Sequence, residues 1–238
     1  MTVDAAGAPA VELSQLRFAY VPGRDVLSID ALTIARGETV FLHGPSGSGK
    51  TTLLGLLAGV LQANSGSVRV LGTDLSTLAS GDRDRFRARH LGYVFQMFNL
   101  IPYLSVRENI LLPVRLDTGR RARLGSQSLD AAMHEIARRL DIDPLLDEPV
   151  TQLSVGQQQR VACARALIGA PEVMIADEPT SALDSDRREQ FLQLLFASCR
   201  AAGTTLVFVS HDRSLEPLFS RTVSLPAINR AAVRRPAD

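Results

Sequence analysis

Apolar and polar side chains alternate along residues 11–20 and again along 26–34, with Pro22 and Gly23 between the two runs. A period of two on either side of a Pro-Gly turn predicts an antiparallel strand pair with one buried face. A short apolar run at 38–43 predicts a buried strand, and a glycine-rich loop follows it. Residues 50–61 have helical character, and 67–71 read as another strand. From about 82 to 153 the pattern changes to arginine-rich and apolar helical segments. The clearest is 130–140, with Ala132, Ile136 and Leu140 at helical spacing and Arg138 and Arg139 beside them. The polar stretch 117–128 reads as a solvated loop. Its Arg120, Arg121 and Arg123 read as solvent-facing charges, with anionic lipid or a partner as the alternative contact. Further on, 157–168 predicts a helix, 173–176 a buried strand ending in two acids, and 187–199 an amphipathic helix. Residues 205–210 predict a β-branched strand and 222–225 a last one. Strands alternating with helices indicate a parallel sheet in an α/β protein. Residues 1–10 and 229–238 read as tails, the second carrying three arginines. There is no internal repeat.

Composition narrows the function classes. A chain of 238 residues is near the upper size for one hydrophobic core, so one domain with subdomains is expected. The formal charge of +1 gives no global support for nucleic-acid binding. The longest apolar run, about 53–61, falls short of the ~20 residues that span a bilayer. The first residues lack the basic start and apolar core of a signal peptide, so a cytoplasmic location is expected. Cys163 and Cys199 have no metal spacing and read as buried, reduced thiols.

Candidate chemistry begins at GPSGSGKT, Gly44 to Thr51, which fits G-x-x-x-x-G-K-[ST] between a predicted strand and a predicted helix. Gly44, Gly47 and Gly49, with Pro45, Ser46 and Ser48 between them, let the backbone turn tightly. Its N–H groups can then approach phosphate oxygens. The helix N-terminus, with Lys50, Thr51 and Thr52, adds partial positive charge. Lys50 supplies a full charge for the β- and γ-phosphates, and the Thr51 hydroxyl is a hard oxygen ligand for Mg²⁺. The second acidic element is the strand ending in Asp177 and Glu178. In α/β sheets the C-terminal ends of strands are where ligands bind. Asp177 is placed to hold Mg²⁺, directly or through water, and Glu178 to polarise an attacking water. Together the two elements point to hydrolysis of a nucleoside triphosphate. They fit an α/β fold of the P-loop NTPase (RecA-like) type.

Kinases, GTPases, motors and transport ATPases share those two elements. The discriminating stretch is Leu153-Ser154-Val155-Gly156-Gln157, which directly precedes a predicted helix about twenty residues before the acidic strand. It resembles the signature sequence of ATP-binding cassette (ABC) ATPases, and the resemblance covers nearly the whole chain. Gln96 in YVFQ resembles the family's Q-loop glutamine. Ser181-Ala182-Leu183-Asp184 resembles its D-loop, and His211 its switch histidine. Tyr20 stands where the family stacks an aromatic ring on adenine.

The resemblance implies a RecA-like core with an N-terminal antiparallel β subdomain, spanning 11–95 and 154–228, and an α-helical subdomain at 96–153. It implies two subunits packed head to tail with ATP and Mg²⁺ between the phosphate loop of one and the signature of the other. Ser154, Gly156 and Gln157 would face the γ-phosphate, with Asp184 at the interface. Gln96 would sense Mg²⁺ and water, and His211 would contact the γ-phosphate and orient the water. The partners implied are a second copy or a paralogous ATPase, and an integral membrane permease subunit. The permease would hold the chain peripherally at the cytoplasmic face of the cell membrane.

The family prefers glycine where Val155 stands. A valine does not comfortably take φ > 0, so the reading requires an ordinary backbone at Val155, with its side chain pointing away from phosphate. The segment 91–110 resembles exporters of the macrolide-efflux and lipoprotein-release type. Phe98, Leu100, Ile101 and Tyr103 are candidates for a groove that accepts the permease's coupling helix. A cell-division ATPase and an importer subunit are the neighbouring alternatives. A long C-terminal regulatory extension, which many importer ATPases carry, is not expected. A DNA-repair ABC ATPase would carry long coiled coils between the motifs, a translation-factor type two cassettes, and a GTPase a guanine-reading N-K-x-D. None of these is in the sequence.

Overall fold

The computed structural model describes residues 7–181, 183 and 185–231. The first elements are β1 (Val11–Ala19), β2 (Asp25–Ile34), β3 (Thr39–His43), α1 (Lys50–Leu57), β4 (Ser65–Val70) and β5 (Thr73–Asp74). Next come α2 (Ser80–His90), β6 (Leu91–Val94), α3 (Val106–Leu116), α4 (Thr118–Ala122) and α5 (Leu129–Arg139). The last are α6 (Val155–Leu167), β7 (Val173–Asp177), α7 (Ser185–Ala202), β8 (Thr205–Val209), β9 (Arg221–Ser224) and α8 (Leu225–Ile228). The chain divides into two compact units. One comprises residues up to Arg87 together with those from Val207 onward, and the other runs from Ala88 to Leu206.

In the first unit β1 pairs antiparallel with β2 on one side and β4 on the other, and β5 extends the sheet from β4. The alternation in β1 slips by one residue: Val11 and Leu13 are buried, then Leu16 and Phe18. A bulge against β4 at Gln15, whose φ is 48°, absorbs the slip and keeps one face inward. This is the expected N-terminal antiparallel β subdomain. Beside it β3 and β9 are parallel neighbours. Phe41 of β3 packs with Phe208 and Phe219, ring centroids 5.0–6.3 Å apart. Helix α1 buries Leu53, Leu54, Leu56 and Leu57. It ends earlier than position 61, because Gly59 turns left-handed at φ 67°.

In the second unit β6 and β7 are parallel, Leu91 facing Val173 and Val94 facing Ala176. Thr205 at the start of β8 bonds to Glu172 O at 2.9 Å. Parallel pairing of this kind, present within each unit, is that of a RecA-like P-loop ATPase core. Strand β6 has only four residues, too few for its pattern to stand out from the helical segments around it. Helix α3 starts with a capping box between Ser105 and Glu108. The Asn109 side chain, fully buried, bonds to the backbone of Ile101, Leu104 and Ser105.

Two expectations are corrected. The stretch 117–128 is not a solvated loop throughout: 118–122 form α4, while Arg121 and 125–128 are exposed. Asp117 caps α4 by accepting from Arg120 N, and Arg120 is 2% exposed. Its guanidinium donates to Ile168 O at 2.8 Å, Leu91 O at 2.7 Å and Ala166 O. Those carbonyls end α6 and begin β6, and a guanidinium fork is the side chain with enough donors to satisfy all three. Arg123 bonds to Arg89 O at 2.6 Å and Glu172 at 2.8 Å. Likewise Ala10 and Asn229 are not parts of tails. Ala10 is buried and accepts from Leu71 N, and Asn229 is 2% exposed. Asn229 bonds to Ser28 N at 2.8 Å and Val26 O at 2.9 Å, stitching the C-terminal segment to β2.

Among the described residues no helix is long and apolar enough to cross a membrane. Both cysteines are free and buried. Burial pushes both thiols up, that of Cys199 to about 12.

Candidate functional site

In the first unit β3 ends at His43 and α1 begins at Lys50, so the six residues between them form the phosphate loop. Gly47 and Gly49 sit at φ 75° and 98°, a region costly to any residue with a Cβ. Gly49 is the N-cap of α1. No side chain caps that helix, and no acid lies in its first turn. Its N-terminal N–H groups and partial positive charge are therefore not met by a side chain of the cap or the first turn. Lys50 folds back, Nζ donating to Gly44 O at 2.7 Å and Pro45 O at 3.2 Å. These two loop oxygens hold the ammonium over the loop. Ser48 Oγ is buried with no hydrogen-bond partner among the described residues. Its carbonyl is reached by Asn229 Nδ2 at 3.4 Å, a support that the sequence reading assigned to a tail. Pro45, Ser46, Gly47 and Thr51 are exposed, while Thr52 is buried and bonds to Tyr20 Oη at 3.2 Å.

Tyr20 is 63% exposed and leans edge-on against Phe18, centroids 4.9 Å apart. Its ring is free to take a stacked aromatic base on an open face. His211 lies two residues beyond the end of β8. The residue before it, Ser210, bonds through its N–H to Leu42 O of β3 at 3.3 Å. The chain thus sets His211 and the phosphate loop at the ends of neighbouring strands. This unit therefore brings together Tyr20, Gly44 to Thr52 and His211.

The second unit holds Gln96, the signature stretch, Asp177 and Glu178. Asp177 ends β7. Burial and the Asp177 charge together push the Tyr93 phenol above its usual range, so the two groups are electrostatic neighbours. Tyr93 stacks on Phe95 at 4.2 Å, and Gln96 follows, exposed. The loop beyond it is bent by two left-handed residues, Phe98 at φ 58° and Asn99 at 48°. Arg165 of α6 clamps both carbonyls at 2.6 Å. Phe98 is buried, so it belongs to the core and not to an apolar groove; Tyr103 is exposed. Glu178 takes φ 47° directly before Pro179. Strain of this kind collects at functional sites.

Ser154 caps α6 in extended backbone. Its Oγ accepts from Gln157 N at 3.3 Å while Gln157 Oε1 accepts from Ser154 N at 2.8 Å. Val155 is the first helical residue, and its side chain is 49% exposed. The backbone there is ordinary, as the sequence reading required. A Cβ added at Gly156 would meet only Leu183, at 3.7 Å, and Gly156 is not among the glycines at positive φ. Neither local backbone nor packing demands a glycine there. Ser154, Gly156, Gln157 and Arg160 line a cleft closed on its other side by Arg187 and Gln190 of α7. Asp184 lies outside the described residues.

Each unit by itself carries an oxygen donor of the kind that Mg²⁺ takes. Thr51 offers a hydroxyl on the first turn of α1, and Asp177 a carboxylate at a strand end. Sequence reasoning missed Arg120, Arg165, Gln159 and Asn229. Each acts on a backbone carbonyl or amide far away in sequence, and no motif marks that.

Residues 27–181 match the family described as ABC transporter. The chain is 41% identical over 220 residues to YbbA of Escherichia coli (strain K12), an uncharacterized ABC transporter ATP-binding protein. That match covers 90% of this chain and 93% of YbbA. It is 40% identical over 220 residues to the lipoprotein-releasing system ATP-binding protein LolD of Anaeromyxobacter dehalogenans (strain 2CP-C), covering 91% and 90% of the two chains. Among solved structures, the ATP-binding cassette MJ0796, a post-hydrolysis dimer bound to ADP and Pi, superposes with a TM-score of 0.79. It is 34% identical, over 90% of this chain and 93% of its own. The chain therefore belongs to the ABC transporter family, as an ATP-binding and ATP-hydrolysing subunit homologous to the ATPases of lipoprotein-release and macrolide-export systems.

Proposed function

We propose that two copies of this chain close head to tail on two Mg-ATP molecules and so drive a separate membrane permease. Each nucleotide lies between one copy's phosphate loop and the other's signature. Lys50 and the N-terminus of α1 hold the phosphates, Tyr20 takes the adenine, and Thr51 and Asp177 hold Mg²⁺. Glu178 is the general base, with Gln96 and His211 orienting the water. Ser154, Gly156 and Gln157 complete the site across the interface, with Asp184 beside them. The helical subdomain, 96–153, carries the permease contact at the cytoplasmic face of the cell membrane. The resemblance to lipoprotein-release ATPases supports export or force transmission rather than import.

One observation carries this reading. The signature is a capped, solvent-exposed helix N-terminus whose Gly156 has no internal reason to lack a side chain. A helix N-terminus is a natural anion site, and a glycine on it lets phosphate oxygens approach the backbone. Val155 does not obstruct this, because its helical backbone leaves both neighbours available.

Ser154→Glu tests the assignment. The signature serves the nucleotide on the other copy, so ATP affinity of the isolated chain stays within about threefold while turnover falls more than about a hundredfold from charge repulsion at the γ-phosphate. Unchanged turnover, or an equal loss of affinity, would contradict it.

A further inference from the structure

Glu178 is a strained residue. Its φ is 47°, and the residue before a proline is already restricted by the ring. Such a conformation persists only where the surroundings over-determine it. Downstream, Ser181 N reaches Glu178 O at 3.3 Å and Leu183 N reaches Thr180 O at 3.2 Å. Both are long bonds within one turn. A further fixing point comes from elsewhere in the fold. Gln159, on α6 and fully buried, donates from Nε2 to Pro179 O.

The Gln159 amide is chemically committed. Turning it over would set Oε1 against the Pro179 carbonyl, acceptor against acceptor. In the orientation present, Oε1 is buried with no hydrogen-bond partner among the described residues. A leucine or methionine at this place would avoid that penalty. What offsets it is the bond to the carbonyl of Pro179, the residue after Glu178. Gln159 also sits on the helix that Ser154 caps, so the tether joins the signature helix to the base.

We propose that Gln159 is a positioning residue for Glu178. Its amide holds the Pro179 carbonyl and so locks the left-handed backbone that aims the Glu178 carboxylate. This rests on the reading of Glu178 as the general base.

The test compares steady-state ATPase kinetics of Gln159→Met and Gln159→Glu with the wild type, each variant checked by a thermal melt. Gln159→Met keeps shape and removes the donor. Its kcat falls about ten- to a hundredfold, the cost of misplacing a catalytic group by about an ångström. Its KM for ATP stays within about twofold, because the phosphate loop is untouched. Gln159→Glu adds a readout that lost packing does not produce. A neutral carboxyl can donate to the Pro179 carbonyl and a carboxylate cannot, and burial raises the carboxyl's pKa. Its activity relative to wild type therefore climbs as pH falls from about 8 to about 6. A folded Gln159→Met with normal kcat, or a flat pH ratio for Gln159→Glu, overturns the proposal. If Gln159→Met does not fold, the pH ratio decides alone. Normal turnover in Glu178→Gln would overturn the assignment of the base and this proposal with it. Slow Glu178→Gln beside normal Gln159→Met overturns only the role of Gln159.

Discussion

Val155→Gly restores the residue that the family prefers in the signature, and its effect can be worked out beforehand. Val155 is 49% exposed at the first position of α6. Full burial of a valine side chain contributes about 1.5 kcal/mol, so its half-buried side chain contributes about 0.8 kcal/mol. Glycine in a helix costs a further ~0.3–0.5 kcal/mol relative to valine, and less at the first turn. The variant is therefore destabilised by about 1 kcal/mol, which lowers Tm by about 2–4 °C for a chain of this size. For activity the helix N-terminus is already formed, Ser154 already caps it, and Gly156 already offers bare backbone. Turnover at saturating Mg-ATP, measured by phosphate release, should change by less than about threefold, that is by less than ~0.7 kcal/mol in barrier. A rise of a hundredfold would require ~2.7 kcal/mol of transition-state stabilisation that the valine was blocking. That result would refute the argument that the position tolerates a side chain.

Four other outcomes follow from the same structure. Lys50→Ala removes the charge-assisted contacts of the phosphate loop and weakens ATP binding about ten- to a hundredfold, by nucleotide titration; unchanged affinity would move the phosphate charge elsewhere. Arg120→Met leaves the Ile168, Leu91 and Ala166 carbonyls without their donor. It should cost about 3–5 kcal/mol in urea unfolding, and a loss below about 1 kcal/mol would show those carbonyls satisfied otherwise. Burial alone would raise the Glu172 carboxyl, but its hydrogen bond to His90 and the charges of His90 and Arg123 hold it below the usual range. Its stabilisation is thus complete above the unfolded carboxylate pKa and lost as pH falls through the lower, folded value; Glu172→Gln should flatten the acid limb of stability against pH. In mild detergent the chain should co-purify with an integral membrane protein, and repeated recovery of the chain alone would argue against a permease partner.

Much of this was legible in the chain because it depends on short-range pattern. The phosphate loop needs glycines and a lysine at fixed offsets, with a short apolar run marking β3 before it and helical character marking α1 after it. The antiparallel pair of β1 and β2 follows from alternation and a Pro-Gly turn. What was hidden depends on distant partners. Arg120 looked like one charge in a polar loop because its acceptor, the Ile168 carbonyl, is 48 residues away. Asn229 looked like the start of a tail because its partner, Ser28, is 201 residues away. Gln159 sits inside a recognisable motif, yet its acceptor is a main-chain carbonyl twenty residues on, which no side-chain pattern encodes. Phe98 is a groove candidate in sequence because aromatic residues near the Q-loop glutamine suit docking, with the core as the alternative; its side chain is buried, on a left-handed backbone.

The central claim is that ATP joins two copies through the phosphate loop of one and the signature of the other. The mass of Glu178→Gln protein, by light scattering with and without Mg-ATP, tests it most directly. This variant retains nucleotide and cuts turnover about 10²–10⁴-fold, so the closed state accumulates. The account predicts a 25.7 kDa monomer that doubles in mass only when Mg-ATP is present. A persistent monomer with ATP demonstrably bound, unchanged when Val155→Gly is added, would contradict it.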